Sequence, residues 1–173
     1  HDYAEYIRGI SKEEKEVQFE EIKNIHPKIG FDLLCNEHRY IEKDGQKIAL
    51  VGVENWGKSF KQAGDLSKAS DGVSKDDFKI LMSHDPSHWE AEVKQDDLNY
   101  HLTLSGHTHG LQMGIEIPGW FKWSPSKYVY KQWAGLYEEY GRYINVNRGF
   151  GYHAFPGRVG IWPEITVIEL KKS

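Results

Sequence analysis

The sequence predicts an α/β fold, and three observations carry that expectation. Short apolar runs alternate with amphipathic helical stretches; two of the runs end in Ser followed closely by His; and an Asp-Gly step joins two strand-like segments. Alternation of this kind fits α/β or α+β, and no internal repeat or low-complexity tract argues for another class.

The elements follow in order. The chain opens on His1-Asp2-Tyr3 without a methionine, and the expectation is a piece cut from something longer. Tyr3 to Phe19 reads as a charged amphipathic helix, while Ser11-Lys12-Glu13-Glu14 has capping-box spacing and predicts a helical segment over about 12–26, before Pro27. Leu33 to Glu42 and Gln46 to Val53 read as a strand pair around Lys43-Asp44-Gly45, whose glycine supplies the positive φ of a tight turn. Polar residues 57–75 form a loop with a short helix near Leu66 to Ala69. Phe78 to Met82 is a buried strand ending at Ser83-His84-Asp85-Pro86, and a short helix over Ser87 to Lys94 follows. Leu102 to Leu104 is the next strand, breaking at Ser105-Gly106 into His107-Thr108-His109. Tyr143 to Val146 and Ile165 to Leu170 are the last two strands.

Length and charge narrow the function. With 173 residues, 39% hydrophobic and 28% charged, the chain suits one domain or one large piece of a domain. The net charge of −4 is spread in alternating signs, which excludes a nucleic-acid surface as the expected partner. One cysteine, Cys35, excludes an internal disulfide framework and a cysteine-based structural zinc site. No apolar run approaches the roughly 20 residues that span a bilayer, so the expectation is a soluble domain.

Chemistry concentrates at the two Ser-His strand ends. If those strands are neighbours, His84, His107 and His109 meet at one sheet edge; residues i and i+2 share a face, so His107 and His109 can reach one site. Taken alone, His-X-His fits a metal pair or ordinary polar residues equally well, and Ser83-His84 at an equivalent strand end favours metal. Gly106 and Gly110 bracket the pair and suit a tight turn. His26, His38, His88 and His101 have no partner spacing and read as ordinary polar residues.

Gly106-His107-Thr108-His109-Gly110, preceded by strand-Ser83-His84 and headed by His1-Asp2, resembles the second half of a calcineurin-like metallophosphoesterase. That family has five ordered motifs: Asp-X-His, Gly-Asp-X-X, Gly-Asn-His-Asp or Glu, a lone His after a strand, and Gly-His-X-His. The last two are matched in full and the third in its tail. Residues 146–151, Phe155-Pro156-Gly157-Arg158 and Trp162-Pro163-Glu164-Ile165-Thr166 resemble the C-terminal region of a bacterial branch whose longer members are often membrane-attached. The resemblance implies that 1–173 is the C-terminal portion of a single domain, contributing one mixed sheet and flanking helices to a four-layer α-β-β-α sandwich. It implies two divalent metals, manganese, iron, zinc or cobalt, with His84 and His107 on one and His109 on the other. His1 would stand beside the substrate phosphate with Asp2 as its partner, as the catalytic pair.

The family's first Asp and His, its bridging Asp and the Asn before His1 are absent from the chain. The expectation is therefore a hydrolase parent and a piece that binds metal weakly, or not at all, and does not turn over by itself. Loss of the other half would expose an apolar sheet face and favour homo-oligomers. For substrate, the aromatic-rich Ile117 to Tyr137, with Trp120 and Trp123, suggests a cleft for an amphiphilic or ring-bearing phosphoester, a lipid head group or a nucleotide-sugar. Arg148 and Arg158 fit phosphate contacts or surface salt bridges equally well, and His153 lies between them. Two rival readings are a scaffold domain that kept the fold and lost its metals, and a structural zinc site, which needs four closed ligands where three are seen.

Overall fold

The structure, a computed structural model, describes residues 9–153 and 155–171; the predicted catalytic pair His1 and Asp2 lies outside them. The first described helix, α1 (Lys12–Lys28), starts where the capping box places it. Ser11 Oγ accepts from Glu14 N at 3.1 Å and the Glu14 carboxylate accepts from Ser11 N at 2.7 Å. Ser11 is extended, so a single helix running through it from Tyr3 to Phe19 is not formed. Pro27 falls in the last turn, where its missing N–H removes the bond to the carbonyl of residue 23, and the helix runs only one residue past it.

Strands β1 (Glu37–Lys43) and β2 (Gln46–Gly52) form the predicted hairpin, with both turn residues left-handed, Asp44 at φ 53° and Gly45 at φ 70°. There follow α2 (Leu66–Ala69), β3 (Phe78–Met82), α3 (Pro86–Ala91) and β4 (Leu102–Ser105), near their predicted positions. Three further strands come from the aromatic-rich stretch and beyond it: β5 (Ile115–Ile117), β6 (Phe121–Trp123) and β7 (Gly135–Glu139), the last pairing with β8 (Arg142–Val146).

The main sheet has the order β1-β2-β3-β4-β8-β7. Its inner neighbours β2, β3, β4 and β8 are parallel, and an antiparallel hairpin partner lies at each edge. The α/β class and the mixed sheet are as the sequence predicts. Cross-strand register assigns the faces. One carries Val51, Leu81, Ile144 and Val146, fully buried against Ala69, Trp89, Val93 and Tyr100. Lys79 shares this face, and its ammonium is satisfied by the carbonyls of Ser74, Lys75 and Asp77 at 2.9, 2.8 and 2.6 Å.

The opposite face carries Leu50, Ile80, Met82 and Leu104, all half-buried. The predicted strand Ile165 to Leu170 does not form. Those residues run as exposed coil without a ladder, tied back where Asn147 Nδ2 donates to Thr166 Oγ1 at 2.8 Å. Their β-branched pattern has no neighbouring strand, among the described residues, to pair with, and β propensity follows its context. Leu170 instead lines a hollow of about 670 Å³ with Ile41, Ile48 and Phe78.

Candidate metal centre

Strands β3 and β4 are parallel neighbours, so their ends emerge on the same side. Beyond the ladder the two exits stay tied: Ser83 N donates to Leu104 O at 3.0 Å, Gly106 N to His84 O at 2.9 Å, and Ser105 Oγ to Ser83 O at 2.6 Å. The His84 and His107 rings consequently meet edge to face with centroids 5.2 Å apart.

The backbone around the second motif is strained. His107, His109, Leu111 and Gln112 are left-handed at φ 65°, 50°, 47° and 56°, a conformation that costs a non-glycine residue roughly 1 kcal/mol or more. Gly110, at φ 56°, is the glycine this turn requires. A Cβ there would stand 2.9 Å from Ile161 Cδ1 and 3.2 Å from Arg148 Cδ. At Gly106 a Cβ would meet nothing closer than 3.6 Å, so of the two glycines the packing constraint falls on Gly110.

His107 is held by partners the sequence does not reveal. Its Nε2 lies 2.8 Å from the Tyr130 hydroxyl and 3.5 Å from Asp85 Oδ2, and the Phe60 ring packs against it at 5.0 Å. Asp85 is buried and also caps α3, its Oδ1 accepting from Ser87 N at 2.8 Å. A carboxylate beside one ring nitrogen favours a proton there and leaves the other nitrogen its lone pair, which is how ligating histidines are oriented. Phe60 arrives on a loop pinned by Asn36, whose side-chain amide donates to Ala63 O at 2.9 Å and accepts from Glu54 N and Asp65 N at 3.1 and 2.9 Å. Of these residues only Asp85, directly after His84 and before Pro86, carried a local signal.

His109 is half-buried, and its Nδ1 is sealed from solvent without a hydrogen-bond partner. Its ring lies 6.3 Å from that of His153, which is exposed. Desolvation lowers the pKa of His84, His107 and His109. His107 adds to the effect at His84, Asp85 opposes it at His107, and Arg158 reinforces it at His109. The outer side of His84 is open to water, which tempers its shift. Neutral imidazole is the form that binds metal.

The remaining predicted contacts separate. Arg148 is buried in carboxylates, with Nε and Nη2 on Glu164 Oε2 at 3.0 and 2.5 Å and Nη1 on Glu116 Oε2 at 2.8 Å, so its donors serve the fold in this structure. Arg158 donates to the carbonyls of His109, Arg148 and Gly151, while its Nε is buried without a partner. Trp123 is half-buried, whereas Trp120 stands at the turn between β5 and β6, 82% exposed. His26, His38, His88 and His101 each hold a hydrogen bond away from this cluster, with Ile22 O, Ala69 O, Ser83 Oγ and Lys79 N respectively.

The donors fit a borderline divalent metal in kind: neutral imidazoles at one sheet edge, one with a buried nitrogen lacking a partner. They fall short in number. Among the described residues no three His, Cys, Asp or Glu side chains converge into a ligand set. No described helix is long and apolar enough to cross a membrane.

Comparison with known proteins bears on the same motifs. The chain is 34% identical to the uncharacterized metallophosphoesterase YkuE of Bacillus subtilis over 146 residues, covering 83% of this chain and 48% of that protein. It is 24% identical to the uncharacterized metallophosphoesterase YkoQ of the same organism, covering 88% and 54%. To the transmembrane protein with metallophosphoesterase domain of Danio rerio it is 29% identical, covering 84% and 33%. The chain thus spans about half the length of the two Bacillus relatives. No family model and no solved structure matches. On these relatives, the chain belongs to the metallophosphoesterase family.

Proposed function

We propose that the chain is the C-terminal portion of a metal-dependent phosphoesterase domain and contributes part of a two-metal centre to it. The observation that supports this most directly is the convergence of His84 and His107, with His109 beyond, at the tied ends of adjacent parallel strands. A bound divalent metal supplies charge that polarises a phosphoryl oxygen and lowers the pKa of water. The chain's own residues orient and shield. Asp85 and Tyr130 fix the His107 ring, Phe60 limits water around it, and the pinned strand ends hold His84 opposite. Arg158, with its buried Nε beside the His109 segment, is the better placed arginine for a phosphate oxygen. His1, with Asp2, is proposed to protonate the leaving oxygen.

In this reading the piece completes a four-layer sandwich in its parent, whose other half covers the face bearing Ile80, Met82 and Leu104. Alone, copies associate through that face, and concentration-independent monomers in sedimentation would oppose this. The substrate class proposed is a phosphoester with a lipid or nucleotide-sugar body, met by Tyr130 and Phe60. The alternative, a scaffold domain, draws on the shortage of converging ligands among the described residues.

The test is hydrolysis of a phosphomonoester and a phosphodiester by this chain and by one extended upstream to restore the missing motifs, with manganese or with chelator. Chelator-sensitive turnover by the extended chain alone is expected. Turnover by the 173-residue chain itself would overturn the half-site reading, and metal-loaded inactivity of both would favour the scaffold.

A further inference from the structure

The β5–β6 hairpin is turned inside out relative to an ordinary surface hairpin. Pairing of Ile115 with Trp123 and Ile117 with Phe121 puts these four on one side, and pairing of Glu116 with Lys122 puts the charges on the other. The charged side is tied to the protein, through half-buried Glu116 and the end of the otherwise exposed Lys122. Glu116 receives Arg148, and Lys122 Nζ donates to Ala134 O at 2.6 Å. Apart from half-buried Trp123, the apolar side faces water: Ile115 is 55%, Ile117 44% and Phe121 47% exposed, and Trp120 projects at the turn. A hairpin whose buried side is satisfied by an ion pair and a carbonyl gains nothing in this fold from an apolar outer side.

We infer that this hairpin is a docking element for an anionic membrane surface. Tryptophan and phenylalanine on a protruding turn match the residues enriched at the lipid–water interface. Charge agrees. In a chain of net charge −4, residues 111–131 contain three lysines and one glutamate; Glu116 is neutralised by Arg148, Lys131 pairs with Glu139 and Glu90, and Lys122 and Lys127 are the cations left over. Lys127, in the turn that follows β6, makes no ion pair among the described residues and lies 5.2 Å from the ring centroid of exposed Tyr128. The patch offers roughly 500 Å² of apolar side chain, short of the ~800 Å² per partner of a stable protein interface and within the size a monomer leaves exposed for a function. Ser124 Oγ ties the base of the hairpin to Gly110 O at 2.6 Å, so docking would hold the histidine cluster beside the bilayer.

Flotation of the purified chain with vesicles of phosphatidylcholine, alone or with about one-third phosphatidylglycerol, tests it. Co-flotation with the anionic vesicles, weakened by salt, is expected. Lys127→Glu should lower the partition coefficient about fivefold or more. Trp120→Ser combined with Phe121→Ser should lower it at least as far, while Val167→Ser, in the equally exposed tail, should leave it unchanged. If the double variant misfolds by circular dichroism, Lys127→Glu and the salt dependence decide. Absence of flotation overturns the inference, as does equal flotation of the hairpin variants. A concentration-dependent dimer abolished by the hairpin substitutions would assign the patch to self-contact and overturn it too.

Discussion

Replacing Arg148 with methionine tests whether this arginine is structural. Its side chain is 6% exposed and its guanidinium bridges Glu164 and Glu116, which are 26% and 20% exposed. Burial alone would raise the Glu164 pKa, but hydrogen bonds from Arg148 outweigh that and hold it below the ordinary value. Methionine would keep the packing of the stem and leave two carboxylates without their hydrogen-bonded cation, with only the more distant charges of Lys122 and Arg158. Breaking a buried pair from one side costs about 3–5 kcal/mol. With an m-value near 2 kcal/mol per molar urea, the midpoint should fall by roughly 2 M, followed by circular dichroism. The wild-type contribution has a defined pH window: a depressed carboxylate stabilises the fold above its unfolded pKa and loses that effect as pH falls through the folded one, so it fades below about pH 4.5. Changing both glutamates to glutamine in the methionine variant should restore much of the loss. A cost below about 1 kcal/mol would refute the structural role. If an extended, active chain carrying Arg148→Met then showed a raised KM at unchanged stability, the phosphate contact would be reinstated.

Three further outcomes are expected. Burial lowers the pKa of fully enclosed His88 to about 4 from 6.5, so the unfolded chain takes the proton first; stability should fall by about 2–3 kcal/mol between pH 6.5 and 4, the half-exposed Glu92 at 3.3 Å offsetting part of the loss. His88→Phe should flatten that slope, and an unchanged slope would rule the residue out as its source. Gly110→Ala should destabilise by about 1–3 kcal/mol, because positive φ and the approach to Ile161 act together; an unshifted melting temperature would contradict the turn geometry. Asp85→Asn keeps the α3 cap but removes the charge beside His107, and should weaken manganese binding by an extended chain about 10–100-fold in calorimetry. Equal affinity would remove Asp85 from any orienting role.

Elements with local signals were legible in the sequence. The capping box placed the start of α1, Asp44-Gly45 fixed a two-residue turn, and the apolar run Phe78 to Met82 could only be a strand. Elements that depend on a distant neighbour were not. Ile115-Glu116-Ile117 is too short to show a period, and its inward charges invert the usual pattern. Ile165 to Leu170 has the composition of a strand yet pairs with nothing described. In the site, two equivalent Ser-His exits revealed the histidines because parallel strands repeat their geometry. Tyr130 and Phe60 reach His107 from 23 and 47 positions away in sequence, with no spacing rule connecting them. The left-handed residues between His107 and Gln112, broken by right-handed Thr108, were equally hidden, since only one of them, Gly110, is a glycine.

The way the histidines are held bears on what their shortage means. Three hydrogen bonds beyond the ladder lock the β3 and β4 exits together, a strained turn fixes His109, and Asp85 with Tyr130 fixes His107. Such restraints reduce the ordering cost that a ligand set otherwise meets on binding. Orientation is therefore built into the described residues, and ligand number is what falls short among them. A decayed scaffold would have little reason to retain backbone strain at these positions, because relaxing it would stabilise the fold. The strain around His107 and His109 is thus the structural feature that would weigh most for the proposed metal centre and against the scaffold reading.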